Sequence, residues 1–350
     1  MMTDNAPLKF LTLIPAYNCA NLLGDAVNSI LAQTGGENRI VICDDASTDS
    51  TANMALALSE RHPGQIHLLR NPVNLGSGGT RNRALDYVRN HLGQGFLQGF
   101  GPEDFLCFLD ADDECLPERY LRQAQHLQSH PDCRMVGGWL ISFGEGLTDS
   151  LLRFPCDADE VRAQSLFETV NMPSTYFCRI GTAFHPSFHF ATTPNGEDWE
   201  FFIRNQAWLN FENLPRAVCR YRQHPSNATL GMRDSLNSTG TRLRLQYLLD
   251  AFGMAPSMDE LKLHITISPC KYWKIQDQAY FWAHQHDIEQ RCAAWLSKIG
   301  SANGIRKFMA PAAWSRVAAR IQQGVTDGLV SLRPASYRFD LNQPQATLVS

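Results

Sequence analysis

From residue 8 onward the chain alternates short apolar runs with amphipathic stretches: FLTLI then ANLLGDAVNSILAQ, RIVIC then STANMALALSERH, IHLL then RNRALDYVRNHL, FLCFL then PERYLRQAQHLQSH. Runs of four or five residues suit strands, and the stretches between them repeat apolar side chains at helical spacing, as Leu22, Leu23, Ala26, Val27, Ile30 and Leu31 do. This pattern predicts βαβ units, and hence an α/β fold with a mainly parallel sheet covered by helices on both faces. Ligands of such sheets bind beyond the carboxyl ends of the strands. The segments at those places are PAYN, DDASTDS, NPVNLGSGGTRN and DADDE. A single shared pocket accounts for all four.

Composition narrows the partner. The 350 residues are 44% apolar, enough for one large domain and an appendage, and the formal net charge of -4 offers no basic face for nucleic acid. The first residues, MMTDNAPLKFLTLIPAYN, lack the basic start and long apolar core of a signal peptide, and no later run reaches the ~20 residues needed to span a bilayer. A cytoplasmic protein is expected, with the inner membrane face as a further place of work. Ten cysteines without a CxxC pair read as buried thiols rather than disulfides or a zinc site. The sequons at Asn227 and Asn237 are then inert.

Two of the loops carry opposite charge. FLCFLDADDE ends a buried strand in Asp110, Asp112, Asp113 and Glu114, which repel one another unless a cation sits among them. NPVNLGSGGTRNRAL supplies glycines for close backbone approach, and the sequence places Arg81 and Arg83 in the first turn of the following helix, where an anion is expected beside them. An acidic loop facing a basic one suits a metal-bound diphosphate, with Mg²⁺ or Mn²⁺ taking carboxylate and phosphate oxygens. Part of the acidic cluster also serves to cap the next helix.

Taken in order, PAYN, DDASTD, NLGSGGTRNRAL, LDADD with LPERYLRQAQHLQSHPD, GEDWEFFIR and YRQHPSNAT resemble the family 2 glycosyltransferases of GT-A fold, over about residues 8 to 230. The resemblance implies a GT-A domain over 1–230, with a nucleotide-sugar-binding half (1–115) and an acceptor-binding half (116–230), and inverting transfer of a sugar. It places Pro15, Ala16, Tyr17 and Asn18 around the nucleobase, Asp45 as acceptor of a base hydrogen bond, and Gly76 and Arg81 near the nucleotide. Asp110, Ala111 and Asp112 match the DxD motif, Asp110 on the ribose side and Asp112 on the metal, with Asp113 as an extra carboxylate. Asp198 matches the general base, beside Glu197 and a Trp199 that forms an acceptor wall; Arg222 approaches phosphate and His224 the metal. The donor implied is a UDP-sugar, with dTDP- and GDP-sugars as alternatives, and the acceptor a glycan or glycolipid of a cell-surface polysaccharide or lipopolysaccharide. Between Cys178 and Glu197 the chain departs from the family's glycine-rich turn, Gly181 and Phe184 fitting it poorly, while His185 and His189 read as packing or acceptor-loop residues. Two rival readings are a sugar nucleotidylyltransferase, disfavoured because PAYNCANLLG holds no basic glycine-rich loop, and a noncatalytic nucleotide-sugar binder.

Residues 231–350 read as a helical appendage carrying Trp273, Trp282, Trp295 and Trp314, with a loose tail from Tyr337. Packing against the catalytic domain is its expected role. Covering the acceptor, forming a homo-oligomer, or docking on a membrane through Arg316 and Arg320 beside Val317 and Ile321 stay open.

Overall fold

The computed structural model describes residues 7–193, 196–224, 233–268, 280–281 and 283–331. The chain divides into two compact units, one of residues 1–154 and 171–224, the other of 155–170 and 225–350. The first begins with the expected alternation: β1 (Leu8–Ala16), α1 (Leu23–Leu31), β2 (Gly36–Asp44), α2 (Thr51–Arg61), β3 (Ile66–Arg70), α3 (Gly76–His91) and β4 (Phe105–Phe108). It continues with β5 (Glu114–Cys115), α4 (Arg119–Ser129), β6 (Met135–Phe143), β7 (Ser150–Leu152), β8 (Phe177–Arg179), α6 (Glu197–Leu209) and β9 (Glu212–Arg222), while α5 (Ala158–Ser165) belongs to the second unit.

The sheet runs β3-β2-β1-β4-β8-β6-β9-β5, with β7 on β6. Its first four strands are parallel, as the alternation predicts. Beyond β4 the sheet is mixed: β8 is antiparallel to both β4 and β6, β9 is parallel to β6, and β5 is antiparallel to β9. The apolar alternation ends at α4 in the sequence, so the mixed half left no periodic signal.

The core explains why the elements lie where they do. α1 turns Leu23, Ala26, Val27 and Ile30 onto the sheet, and Phe10, Phe105, Phe177 and Tyr120 pack together beneath α4. Arg119, fully buried at the start of α4, donates to Phe108 O (3.1 Å) at the end of β4 and to Gln123 Oε1 (2.9 Å). Buried donors need partners, and these bonds fix the strand end that launches the acidic loop. The nine described cysteines are all free, eight of them buried.

The second unit packs α5 with α7 (Arg233–Phe252), α8 (Met258–Ile267), α9 (Ile288–Arg306) and α10 (Pro311–Ser331). Trp295 and Trp314 are buried here; Trp273 and Trp282 lie outside the described residues, as do Asn227 and the tail from Tyr337. Trp295 donates to His264 Nδ1 (3.0 Å), and burial followed by the Arg244 charge lowers the His264 pKa to about 3, so that ring stays neutral. Val317 and Ile321 are buried, and Arg316 and Arg320 both reach Glu160 of α5. The apolar face for which a membrane contact stayed open is thus part of this unit's own packing. No described helix is long and apolar enough to cross a membrane.

Candidate active site

The four polar loops do meet, and side chains tie each to the next. At the end of β1, Asn18 adopts φ +49, a conformation that asparagine tolerates, and its Oδ1 accepts from Thr48 N (2.8 Å) in the loop after β2. Cys19 N donates to Thr51 Oγ1 (2.7 Å), a second stitch between the same loops. Pro15 and Ala16 end the strand, Ala16 buried, while Tyr17 is 49% exposed and open to a ligand.

The loop after β2 reaches the one after β3 through Asp45. Its Oδ1 accepts from Asn71 Nδ2 (2.7 Å) and Leu75 N (2.8 Å), and its Oδ2 from Gly76 N (2.9 Å). This corrects one expectation. α3 starts at Gly76, so Arg81 lies in the second turn, and the anion at the helix N-terminus is the protein's own Asp45 carboxylate. Gly76 has φ +72, the turn that aims its N–H at Asp45. Neighbouring Asp44 is fully buried; neither of its oxygens has a hydrogen-bond partner, and Arg70 Nε stands 3.8 Å away.

Arg81 makes the third link. Only 4% exposed, it donates from Nη2 to Asp110 Oδ1 (2.6 Å) and from Nη1 to Glu197 Oε1 (2.8 Å), over the Phe190 ring. Burial works against its charge, but the Asp110 and Glu197 carboxylates outweigh it and hold the guanidinium firmly protonated. Ser77 Oγ also donates to Glu197 Oε1 (2.6 Å), so α3 grips the start of α6 twice. Gly78 permits this approach: a Cβ there would stand 2.0 Å from Ala191 O and 3.2 Å from Glu197 Cγ. Gly78→Ala is therefore expected to destabilise the protein by about 1–3 kcal/mol in a urea melt, because a carbonyl held by backbone cannot step aside.

In the acidic loop the three aspartates diverge. Asp110 turns to Arg81, and Ala111 is buried. Asp112 Oδ2 lies 3.0 Å from His224 Nε2, both side chains partly exposed. Asp113 points inward: Ser174 Oγ donates to its Oδ2 (2.5 Å) and Arg222 N to its Oδ1 (2.9 Å). Burial, then the Asp112 and Asp110 charges, push the Asp113 pKa well up. Ser174 also accepts from Asp110 N (3.1 Å), bracing the loop from the 3-10 turn at 173–175; no local pattern in MPSTY marks it in advance. Arg222 is engaged as well, its Nε on Asp112 O (2.9 Å) and its Nη2 on Glu114 Oε1 (2.6 Å) and Asp25 Oδ2 (3.0 Å). A carboxylate and an imidazole side by side are a donor set that Mn²⁺ accepts, Mg²⁺ preferring the oxygens, and one or two protein carboxylates suffice when phosphate completes the shell.

At the N-terminus of α6, Asp198 is partly buried and accepts from its own following amide, Trp199 N (2.7 Å). Burial, reinforced by the Glu197 charge, raises its pKa to about 7. Trp199 is 5% exposed, on the face of α6 that packs inward with Phe201, Phe202 and Leu209, so it is core rather than an open sugar-stacking wall. His185 stacks on Trp208 at 3.8 Å between ring centres, while His189 Nδ1 lies 3.2 Å from Pro186 O; both are exposed. Gly181 N donates to Pro102 O (2.8 Å), and Phe184 is exposed.

A parallel half with its polar loops laced together, continued by a mixed half that brings an acid-tipped helix to the same loops, is the GT-A architecture. The family assignment agrees: residues 12–193 match glycosyl transferase family 2, and the chain belongs to that family. It is 32% identical over 129 residues to the UDP-Glc:alpha-D-GlcNAc-diphosphoundecaprenol beta-1,3-glucosyltransferase WfgD of Escherichia coli, covering 37% of this chain and 45% of that one. It is 32% identical over 133 residues to the amylovoran biosynthesis glycosyltransferase AmsB of Erwinia amylovora, covering 37% and 40%. The chain thus spans less than half the length of these relatives. In fold it is similar to S. aureus TarS 1-349, solved in complex with UDP-GlcNAc, at a TM-score of 0.52 and 16% identity over 92% of this chain and 91% of that one.

Proposed function

We propose that this protein is a metal-dependent inverting glycosyltransferase that moves a sugar from a UDP-sugar to a hydroxyl of a glycan or glycolipid acceptor. Its place is the cytoplasmic side of the membrane, in the synthesis of a cell-surface polysaccharide. The observation that carries this reading is the position of Asp198, a carboxylate with pKa about 7, on a helix whose preceding residue is clamped by Arg81 to the acidic loop. WfgD, by its name, takes UDP-Glc and a diphosphoundecaprenol acceptor, which supports UDP and a glycolipid here.

Each group has one task. Tyr17, with the ends of β1 and β2, receives the base, and Asp45 holds the loop after β3 beside it; Arg81 keeps Asp110 oriented toward the ribose. Asp112, with His224 and Asp110, would hold Mn²⁺ or Mg²⁺, which would supply positive charge to offset that of a departing diphosphate. Asp113 and Ser174 brace that loop from within. Asp198 accepts the proton of the acceptor hydroxyl, and a pKa near the working pH suits that transfer. Glu197 acts on it through its charge.

Calorimetric titration of UDP separates the parts. We expect Mn²⁺-dependent binding in the wild type, abolished by EDTA and weakened at least about tenfold in Asp112→Ala, the usual scale for losing a charged contact of this kind. Binding that ignores both metal and Asp112 would overturn the donor-site assignment.

A further inference from the structure

A second cluster of ligating side chains lies away from these loops. Among the described residues, His126, His130 and Glu212 bring one ligating atom each within 4.8 Å of one another, the single trio of histidine, cysteine or acidic side chains that does so. His126 lies in the last turn of α4 and His130 caps its end, their rings stacked, and Glu212 is the first residue of β9. β9 runs parallel to β6, so the cluster sits where these two strands begin, whereas the acidic loop follows the end of β4.

The hydrogen bonds of the cluster favour a ligand. His130 Nδ1 lies 3.0 Å from Ser129 Oγ and 3.1 Å from His126 O, so local bonds occupy Nδ1 and Nε2 is the ring nitrogen left for a ligand. A backbone carbonyl orienting the far nitrogen is the arrangement that metal-bound histidines commonly show. His126 Nε2 and Glu212 Oε2 are 2.7 Å apart, close enough for both to reach one ion. The two imidazoles lie stacked, ring centres 4.0 Å apart, with the His130 ring exposed.

We propose that His126, His130 and Glu212 form a binding site for a divalent transition metal of the zinc class, separate from the acidic loop, that ties the end of α4 to the start of β9. Two imidazoles and a carboxylate are a complete protein donor set for four-coordinate Zn²⁺ with one water, and softer than the all-oxygen sets that Mg²⁺ prefers. The cluster lies where β6 and β9 begin, whereas Asp112 lies in the loop after β4, so the ion's task is to tie α4 to β9 rather than to act on the donor.

The test uses the chelator-stripped full chain carrying Asp112→Ala, to silence the acidic loop, titrated with Zn²⁺ against a chromophoric chelator and with Co²⁺ by visible absorption. One equivalent of submicromolar Zn²⁺, a tetrahedral Co²⁺ spectrum, and a Zn²⁺-dependent rise in melting temperature are expected. His130→Ala and Glu212→Gln, each added to that background, should weaken Zn²⁺ by about 10–100-fold and abolish the rise. His130 is exposed, so its loss leaves the fold intact and keeps the comparison valid. Affinity no tighter than millimolar, or equal in all three chains, overturns the site. Loss with His130→Ala but not with Glu212→Gln also overturns it, since that would be a helix-surface histidine pair alone.

Discussion

Asp198→Asn is expected to lower turnover by roughly 10²–10⁴-fold, the usual worth of a positioned general base, while the affinity for UDP and Mn²⁺ stays that of the wild type. The asparagine keeps the shape of the side chain and its acceptor oxygen for Trp199 N but takes no proton from an acceptor hydroxyl. A single-turnover assay with the sugar donor chosen by the UDP titration reads the two quantities apart, a fall in kcat without a change in binding marking a group that acts in the transition state. The pH profile is a second check. With a pKa near 7 the base is protonated in acid, so kcat/KM should rise with pH below about 7 and level off above it. Stability runs the other way. The folded pKa lies above the ~3.9 of an unfolded aspartate, so the neutral form is favoured by folding, and stability is lost as pH rises between those values. The asparagine variant should therefore melt higher than the wild type at pH 8 and show a smaller gain at pH 4. Unchanged turnover in Asp198→Asn would remove the base from the mechanism.

Arg81→Met carries the second large effect, expected at about 3–5 kcal/mol lost in chemical denaturation. Its guanidinium is buried between Asp110 and Glu197, and methionine fills the space without the charge. Two carboxylates then face a desolvated gap with no cation, which costs more than the ion pairs themselves contribute. Adding Glu197→Gln to Arg81→Met should recover part of the loss, because one of the stranded charges is gone, and the size of that recovery measures the coupling. Full stability in the single variant would mean that water already screens the pair.

Much of this arrangement was legible and some was not, for physical reasons. The parallel half was readable because buried strands and amphipathic helices impose periods that survive in the sequence, and the polar loops announced themselves by interrupting those periods. What escaped was long-range. That Asp45 caps α3, that Asp113 turns inward onto Ser174, and that Trp199 faces the core depend on partners up to 61 residues distant in the chain for the Asp113–Ser174 bond. The sequence puts Arg81 and Arg83 in the first turn of α3, yet Asp45 caps the helix from Gly76, a turn earlier. The His126, His130 and Glu212 cluster was not read at all, since Glu212 is 86 residues further on from His126. That residues 155–170 pack with the C-terminal helices has no local signature at all.

The lacing of the four loops, Asn18 to Thr48, Asp45 to Gly76, Arg81 to Asp110 and to Glu197, has a thermodynamic corollary. A segment left free until its ligand arrives surrenders its conformational freedom in the act of binding, and affinity is diminished by that much. Here the freedom is surrendered when the chain folds. The marginal stability of the native state, rather than the association step, bears the entropy of order, so a ligand meets loops already held in place.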